Sequence, residues 1–172
     1  MAEYALEEPC EFIYRIKAVT KIVDGDTVDC VFDLGFDVMF HSRVRLLGID
    51  TPESRTRDKV EKLFGLAAKK ALKEILKKDV VLKTFKGRGG EDAKGKFGRI
   101  LGDFSVYHVA TDSWRMATEI LIEEGHAVAY FGGSKEEIQM KHMANREKLL
   151  REGIVSQADV DKATAIMEKK KK

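Results

Sequence analysis

Between Asp58 and Lys78 the apolar residues Val60, Leu63, Phe64, Ala67, Ala68, Ala71, Leu72, Ile75 and Leu76 recur in alternating steps of three and one. That rhythm keeps returning to one side of a helix with 3.6 residues per turn, so the segment predicts a long amphipathic helix with a single apolar stripe. Lys69, Lys70, Lys73, Lys77 and Lys78 fall on the other side, where they solvate it. The stripe must be covered by something, and the flanking sequence offers a sheet.

Residues 11–23 are rich in β-branched and aromatic types and predict a strand. Asp24-Gly25-Asp26 is a turn signal, since Gly tolerates positive φ and Asp caps turns. Thr27–Leu34 and Asp37–Ile49 predict two further strands, separated at Gly35, and Thr51-Pro52 ends the third. After the helix, Val80–Phe85 and Arg99–Val106 predict a fourth and a fifth strand around a glycine-rich loop at 87–98. A short helix is expected at Arg115–Glu124 and an extended stretch at Ala127–Phe131. Ser134–Glu137 forms a capping box that opens a helix to about Arg151, and a last helix starts at Ser156. Five short strands, a long helix between the third and fourth, and helices after the fifth predict an α+β fold: an OB-fold five-stranded barrel covered by helices. Residues 11–156 are expected to form the domain, and 157–172 a C-terminal helical extension ending in four lysines.

At 172 residues the chain suits one domain, with core enough to fold without disulfide or metal. Cys10 and Cys30 match neither a disulfide framework nor a zinc pattern and are read as reduced thiols. No apolar run approaches the roughly 18 residues of a membrane span. Met1–Cys10 has neither a basic start nor an apolar stretch, so a signal peptide is not expected and the chain is read as cytoplasmic and monomeric. The net charge of +2 conceals an asymmetry: residues 1–53 sum to −6, 54–99 to +9 and 100–172 to −1. An acidic first third beside a basic middle is what a metal-assisted site for an anionic polymer needs.

Chemistry-bearing residues gather at strand ends. Arg45 lies within an apolar strand, where a charge is costly without a polar partner. Asp50 and Glu53 flank the stiff Thr51-Pro52 pair, and Asp26 adds a carboxylate from the first turn. Two or three carboxylates with a backbone carbonyl form a hard oxygen set suited to Ca²⁺ or Mg²⁺ rather than zinc. Arg99, after the glycine-rich loop, adds a second fork able to grip phosphate with parallel donors. Read singly, each of these groups serves equally well as a turn residue or a structural ion pair. His41, His108, His126 and His142 show no metal-ligand spacing and read as surface or packing residues; Met140, Met143, Met167 and Trp114 read as packing residues.

Three motifs taken in order, Asp24-Gly25-Asp26-Thr27-Val28, Arg45 through Asp50-Thr51-Pro52-Glu53, and Lys96-Phe97-Gly98-Arg99, resemble the staphylococcal nuclease (thermonuclease) family. The likeness extends over residues 14–156. It implies a Ca²⁺-dependent phosphodiesterase acting on DNA, RNA or both with little sequence preference and leaving 3′-phosphates. By the same resemblance Asp26, Asp50 and the Thr51 carbonyl hold calcium, Glu53 activates water, and Arg45 and Arg99 stabilise the phosphoryl transition state. Lys96, Phe97 and Tyr130 match positions lining the nucleotide site. Phe97 stands where the family has Tyr, Gly95 where it has an acidic residue, and the segment between Thr27 and Arg45 is longer. The alternative is a catalytically weak module that binds nucleic acid or a protein partner. An unspecific nuclease inside its own cell is a hazard that low free calcium, an inhibitor, or a viral or mobile-element origin would resolve.

Overall fold

A computed structural model describes residues 12–85, 94–95 and 98–169. Cys10, Lys96, Phe97, most of the glycine-rich loop and Lys170–Lys172 lie outside the described residues. Three antiparallel strands open the fold: β1 (Ile13–Asp24), β2 (Thr27–Asp33) and β3 (Met39–Leu46). Two more, β5 (Val80–Thr84) and β6 (Ile100–His108), pair antiparallel with each other; β5 pairs with β1, and β6 pairs parallel with β3 through Val44–Leu46. The ring β1-β2-β3-β6-β5 therefore closes on itself, giving the five-stranded barrel expected from the sequence. Closure requires a bent strand. β1 shifts register against β2 at Ile16/Ala18, Val19/Lys21 and Ile22/Asp24, and such bulges add local twist and bend.

The barrel interior is filled by Val28, Phe32, Val44, Leu46, Leu82, Phe104 and Val106, all buried. Helix α1 (Lys59–Ile75) lays Leu72 and Ile75 on this core, with Leu76 following at its C-cap. Each such side chain contributes about 1.5–3 kcal/mol when fully buried. Asp58 caps α1, accepting from Val60 N at 2.9 Å and Glu61 N at 3.0 Å, which fixes where the helix begins. Farther toward its N-terminus, Phe64 joins a second cluster with Leu149 and Val155.

Several expectations are corrected. The third strand does not run to Ile49: it ends at Leu46, turns at Gly48 (φ +83°), and resumes as β4 (Ile49–Asp50), which pairs with β8 (Val128–Ala129). The short helix does not start at Arg115. Ser113–Met116 is strand β7, paired with β6, and α2 covers Ala117–Glu123. Asp112, at φ +46°, makes the turn into β7, so the chain doubles back before the helix can begin. Trp114 therefore sits on a strand beside Tyr107, ring centroids 5.3 Å apart, and is largely exposed. Because α2 has no cap of its own, Asp103 on β6 supplies one, accepting from Thr118 N at 3.3 Å and from the Thr118 hydroxyl. Helix α3 (Lys135–Arg151) is capped by Ser134 as expected, and α4 (Gln157–Lys169) packs on α1, burying Ala163 and bringing Met167 Sδ to 3.3 Å from Lys59 N. Met140 and Met143 are exposed on α3 rather than packed. No helix among the described residues is long and apolar enough to cross a membrane.

Candidate active site

The fold brings the first two motifs together where α1 crosses the end of the barrel. Their contact depends on small residues. A Cβ on Gly25 would stand 2.7 Å from Ala68 Cβ, and a Cβ on Gly65 would stand 2.5 Å from the Glu53 carbonyl. The helix can press against both the β1–β2 turn and the Thr51–Ser54 segment only because those side chains are missing or minimal. Thr51 and Ser54 are themselves buried.

Asp26, buried at the start of β2, is the hub. Its Oδ1 accepts from Thr27 Oγ1 at 2.7 Å, and its Oδ2 accepts from Thr51 Oγ1 at 3.0 Å and faces Arg45 Nη1 at 3.0 Å. Arg45, cross-strand from Thr27 on β3, also donates to the Leu46 carbonyl at 2.9 Å and the Ile49 carbonyl at 3.1 Å. The charge inside an apolar strand is thus resolved: it bonds a carboxylate and ties down the β3–β4 turn. Two of its five N–H donors, on Nε and Nη2, have no acceptor among the described residues. Removing either member would leave the other charge half-buried and unpaired, at a cost on the order of 3–5 kcal/mol for a fully buried pair.

Asp24 reinforces the frame from the other side of the turn, accepting from the Ser54 hydroxyl and from Arg55 Nη2 at 3.0 Å. Asp50, on β4, is held by a residue that sequence reasoning passed over. His142 of α3 donates from Nε2 to Asp50 Oδ2 at 2.7 Å, with its side chain only 9% exposed. Ninety-two positions separate the two, and no local pattern marks the pair. Glu53 sits amid these groups. Burial first, then the like charges of Asp24, Asp26, Glu61 and Asp50, raise its carboxyl above the ordinary glutamate range.

Asp50, Thr51, Glu53 and Tyr130 line one cavity of about 380 Å³, with Glu61 and the facing side of α3. Arg99 does not line it. It lies at the foot of β6 and lines a neighbouring cavity of about 620 Å³, with Asp24, Thr27, Arg43 and Arg55. Arg43 there is paired with Asp29 at 2.6 Å, and Arg55 with Asp24. The structure thus brings together Asp26, Arg45, Asp50, Thr51 and Glu53, sets Tyr130 beside them, and places Arg99 on the adjoining flank. Lys96 and Phe97, the other two expected nucleotide contacts, are outside the described residues.

As they stand, no three His, Cys, Asp or Glu side chains among the described residues are gathered to hold a metal ion. The donor chemistry nonetheless fits a hard cation. Four carboxylates crowd Glu53, and their repulsion adds to burial in raising its proton affinity. A divalent ion relieves such crowding, and carboxylate and carbonyl oxygens are its preferred ligands. Cys30, by contrast, is buried in the barrel with its thiol pushed up to about 12 by burial and then by Asp29, and is chemically inert there.

The model of one protein family, the staphylococcal nuclease homologues, matches residues 43–163. The match contains Arg45, Asp50, Thr51, Glu53, Arg99 and Tyr130 and begins after Asp26. A comparison with curated proteins finds no match.

Proposed function

The chain belongs to the staphylococcal nuclease family, and from that premise we propose that it is a divalent-cation-dependent, most readily Ca²⁺-dependent, phosphodiesterase that hydrolyses DNA, RNA or both. The observation carrying this reading is the convergence of Asp26, Arg45, Asp50, Thr51 and Glu53 around one end of the barrel. Asp26, Asp50 and the Thr51 carbonyl would hold the cation. When bound, it would polarise the phosphoryl group and lower the barrier to water attack.

The remaining work falls to the chain itself. Glu53, with a raised proton affinity and an open cavity before it, is suited to take a proton from water, because a base is most effective when its pKa approaches the working pH. Arg45 presents its two remaining donors from a guanidinium already fixed by two carbonyls and Asp26, so little reorganisation accompanies phosphate binding. Arg99, from the flank, would meet the same phosphate on its other side. Tyr130 offers a ring beside the cavity, and Lys96 and Phe97 remain proposed contacts to the nucleotide. Backbone phosphate contacts carry no base information, which accords with low sequence preference.

The test is digestion of single-stranded and plasmid DNA in calcium and in chelator, with end-group analysis of the products. Cleavage in calcium leaving 3′-phosphates is expected. Glu53→Gln should lower turnover by roughly 10²–10³-fold, the scale of losing one transition-state group. Nucleic-acid binding with no hydrolysis in calcium would replace this reading with the binding-module alternative.

A further inference from the structure

Lys135, Gln139, His142 and Arg146 recur along α3 in steps of four, three and four, so they share one side of the helix. A helix side turned toward protein is ordinarily apolar. This one presents four polar residues over three turns, with Ile138 beside them, before Leu149, buried with Phe64. All four polar residues line the 380 Å³ cavity that holds Asp50, Thr51 and Glu53. His142 uses its Nε2 donor on Asp50. Arg146 lies with its guanidinium over the Phe64 ring, 5.2 Å from the centroid, and its Nε is buried with no hydrogen-bond partner among the described residues. Neither Arg146 nor Lys135 forms an ion pair among the described residues.

The cavity thus has two unlike walls. One carries the carboxylates Asp50, Glu53 and Glu61; the other carries two cations and an amide, one of the cations fixed by stacking. Its volume falls in the range of small-ligand pockets, which begin at roughly 300 Å³, and excludes a duplex. An anionic group entering it is repelled by the first wall and drawn to the second. We propose that the α3 wall is a subsite for the phosphodiester flanking the scissile one on a single-stranded nucleic acid, gripped by Arg146 and Lys135 with Gln139 as a neutral donor. This rests on the nuclease reading above, and it extends the substrate contact from one phosphate to two.

The experiment measures binding of labelled octathymidylate in calcium as a function of salt, in a Glu53→Gln background so that the strand survives. Each phosphate contact on a single strand contributes about 0.7 to the slope of log K against log salt. Adding Lys135→Gln, at an exposed position, should lower the slope by part of that one contact, and adding Arg146→Gln as well should lower it by about 0.7 in all. Affinity at low salt should drop roughly tenfold per contact. An unchanged slope in both variants overturns the subsite, even if the chain cleaves DNA. Cleavage by the unmodified chain is read separately: its absence removes the nuclease reading, and the slope still decides whether α3 grips a strand.

Discussion

Replacing Gly65 by alanine should separate stability from activity. The added Cβ would stand 2.5 Å from the carbonyl carbon and oxygen of Glu53 and 2.6 Å from Ser54 N. Ordinary contact begins at 3.4 Å, so helix and segment must part by about 0.9 Å. Every neighbour involved is backbone, and no side-chain rotation can relieve the overlap. Two energetic effects oppose each other. Alanine is favoured over glycine in a helix by about 1 kcal/mol, whereas overpacking costs about 1–3 kcal/mol. The net loss of stability is therefore small, about 0–2 kcal/mol. Activity has no such compensation, because the displaced segment carries Thr51 and Glu53. A misplacement near 1 Å can reduce turnover about 10²-fold. Urea denaturation and initial rates on single-stranded DNA in saturating calcium measure the two effects side by side, with Leu66→Ala, on the exposed side of the same helix, as control. A Gly65→Ala rate within threefold of the unmodified protein would show that the close approach does not set the position of Glu53.

Three further outcomes are expected. His142→Ala should weaken divalent-cation affinity by roughly 10–100-fold, as loss of a group orienting a ligand does, while His142→Gln, which keeps a donor, should recover part of it; terbium luminescence reads this without turnover, and an unaltered affinity would leave His142 a packing residue. Burial pushes the Asp103 carboxyl up to about 6 despite its bonds to Thr118 and Phe104, so the folded chain takes a proton more readily than the unfolded one and is relatively more stable as pH falls through that range. Relative to Asp103→Asn, the unmodified protein should gain about 3 kcal/mol between pH 7 and pH 4; urea midpoints that move in parallel for the two proteins would refute this. Cys30 should resist thiol reagents at pH 8 until the protein unfolds, and stoichiometric labelling of Cys30 in native buffer would contradict its burial.

What the sequence made legible follows the range of the interactions concerned. The α1 stripe is periodic over its own length, and its prediction carried the sheet with it, since such a stripe must be covered and the flanking strands offer the cover. The breaks at Gly48 and Asp112 were harder to see. Leu46, Leu47 and Ile49 form an apolar run that conceals a turn, and Arg115–Glu124 contains a good helix preceded by residues that serve equally well in a strand. There the chain follows its cross-strand partners, Ser105–His108 for β7 and Ala129 for Ile49, rather than its local pattern. The carboxylate motifs were visible as residue types; of the two residues that let them approach α1, Ala68 reads as an ordinary member of the apolar stripe and Gly65 falls outside it. The His142–Asp50 bond has no local signature at all. The spacing of Lys135, Gln139, His142 and Arg146 was present in the sequence, and it shows as a stripe only once the side of α3 facing Glu53 is known.

The arrangement around Glu53 explains why its frame is so heavily tied. Five acidic side chains near one another favour separation, and the stretch from Thr51 to Ser54 has no sheet of its own to hold it. Among the described residues, each acid but Glu53 is held by a positive or donor group from elsewhere in the chain: Asp26 by Arg45 of β3, Asp24 by Arg55, Asp50 by His142 of α3 and Glu61 by the Glu53 backbone N–H at 3.4 Å. These bonds hold the carboxylates in place around Glu53, whose proton affinity is raised first by burial and then by the four like charges. Adding a cation would offset the repulsion without moving the frame, and the tethers would then compete with it for the same oxygens. Arg45 is the sharpest case, because its Nη1 and a cation would compete for the Asp26 carboxylate. Under the proposed assignment, cation binding at Asp26 would loosen its hold on Arg45 and free a third donor for phosphate, coupling occupancy of the ion to the strength of the grip on substrate. Phosphate-analogue affinity should accordingly rise with calcium in the unmodified chain and lose that dependence in Arg45→Gln; an equal calcium dependence in both would mean that the two sites act independently.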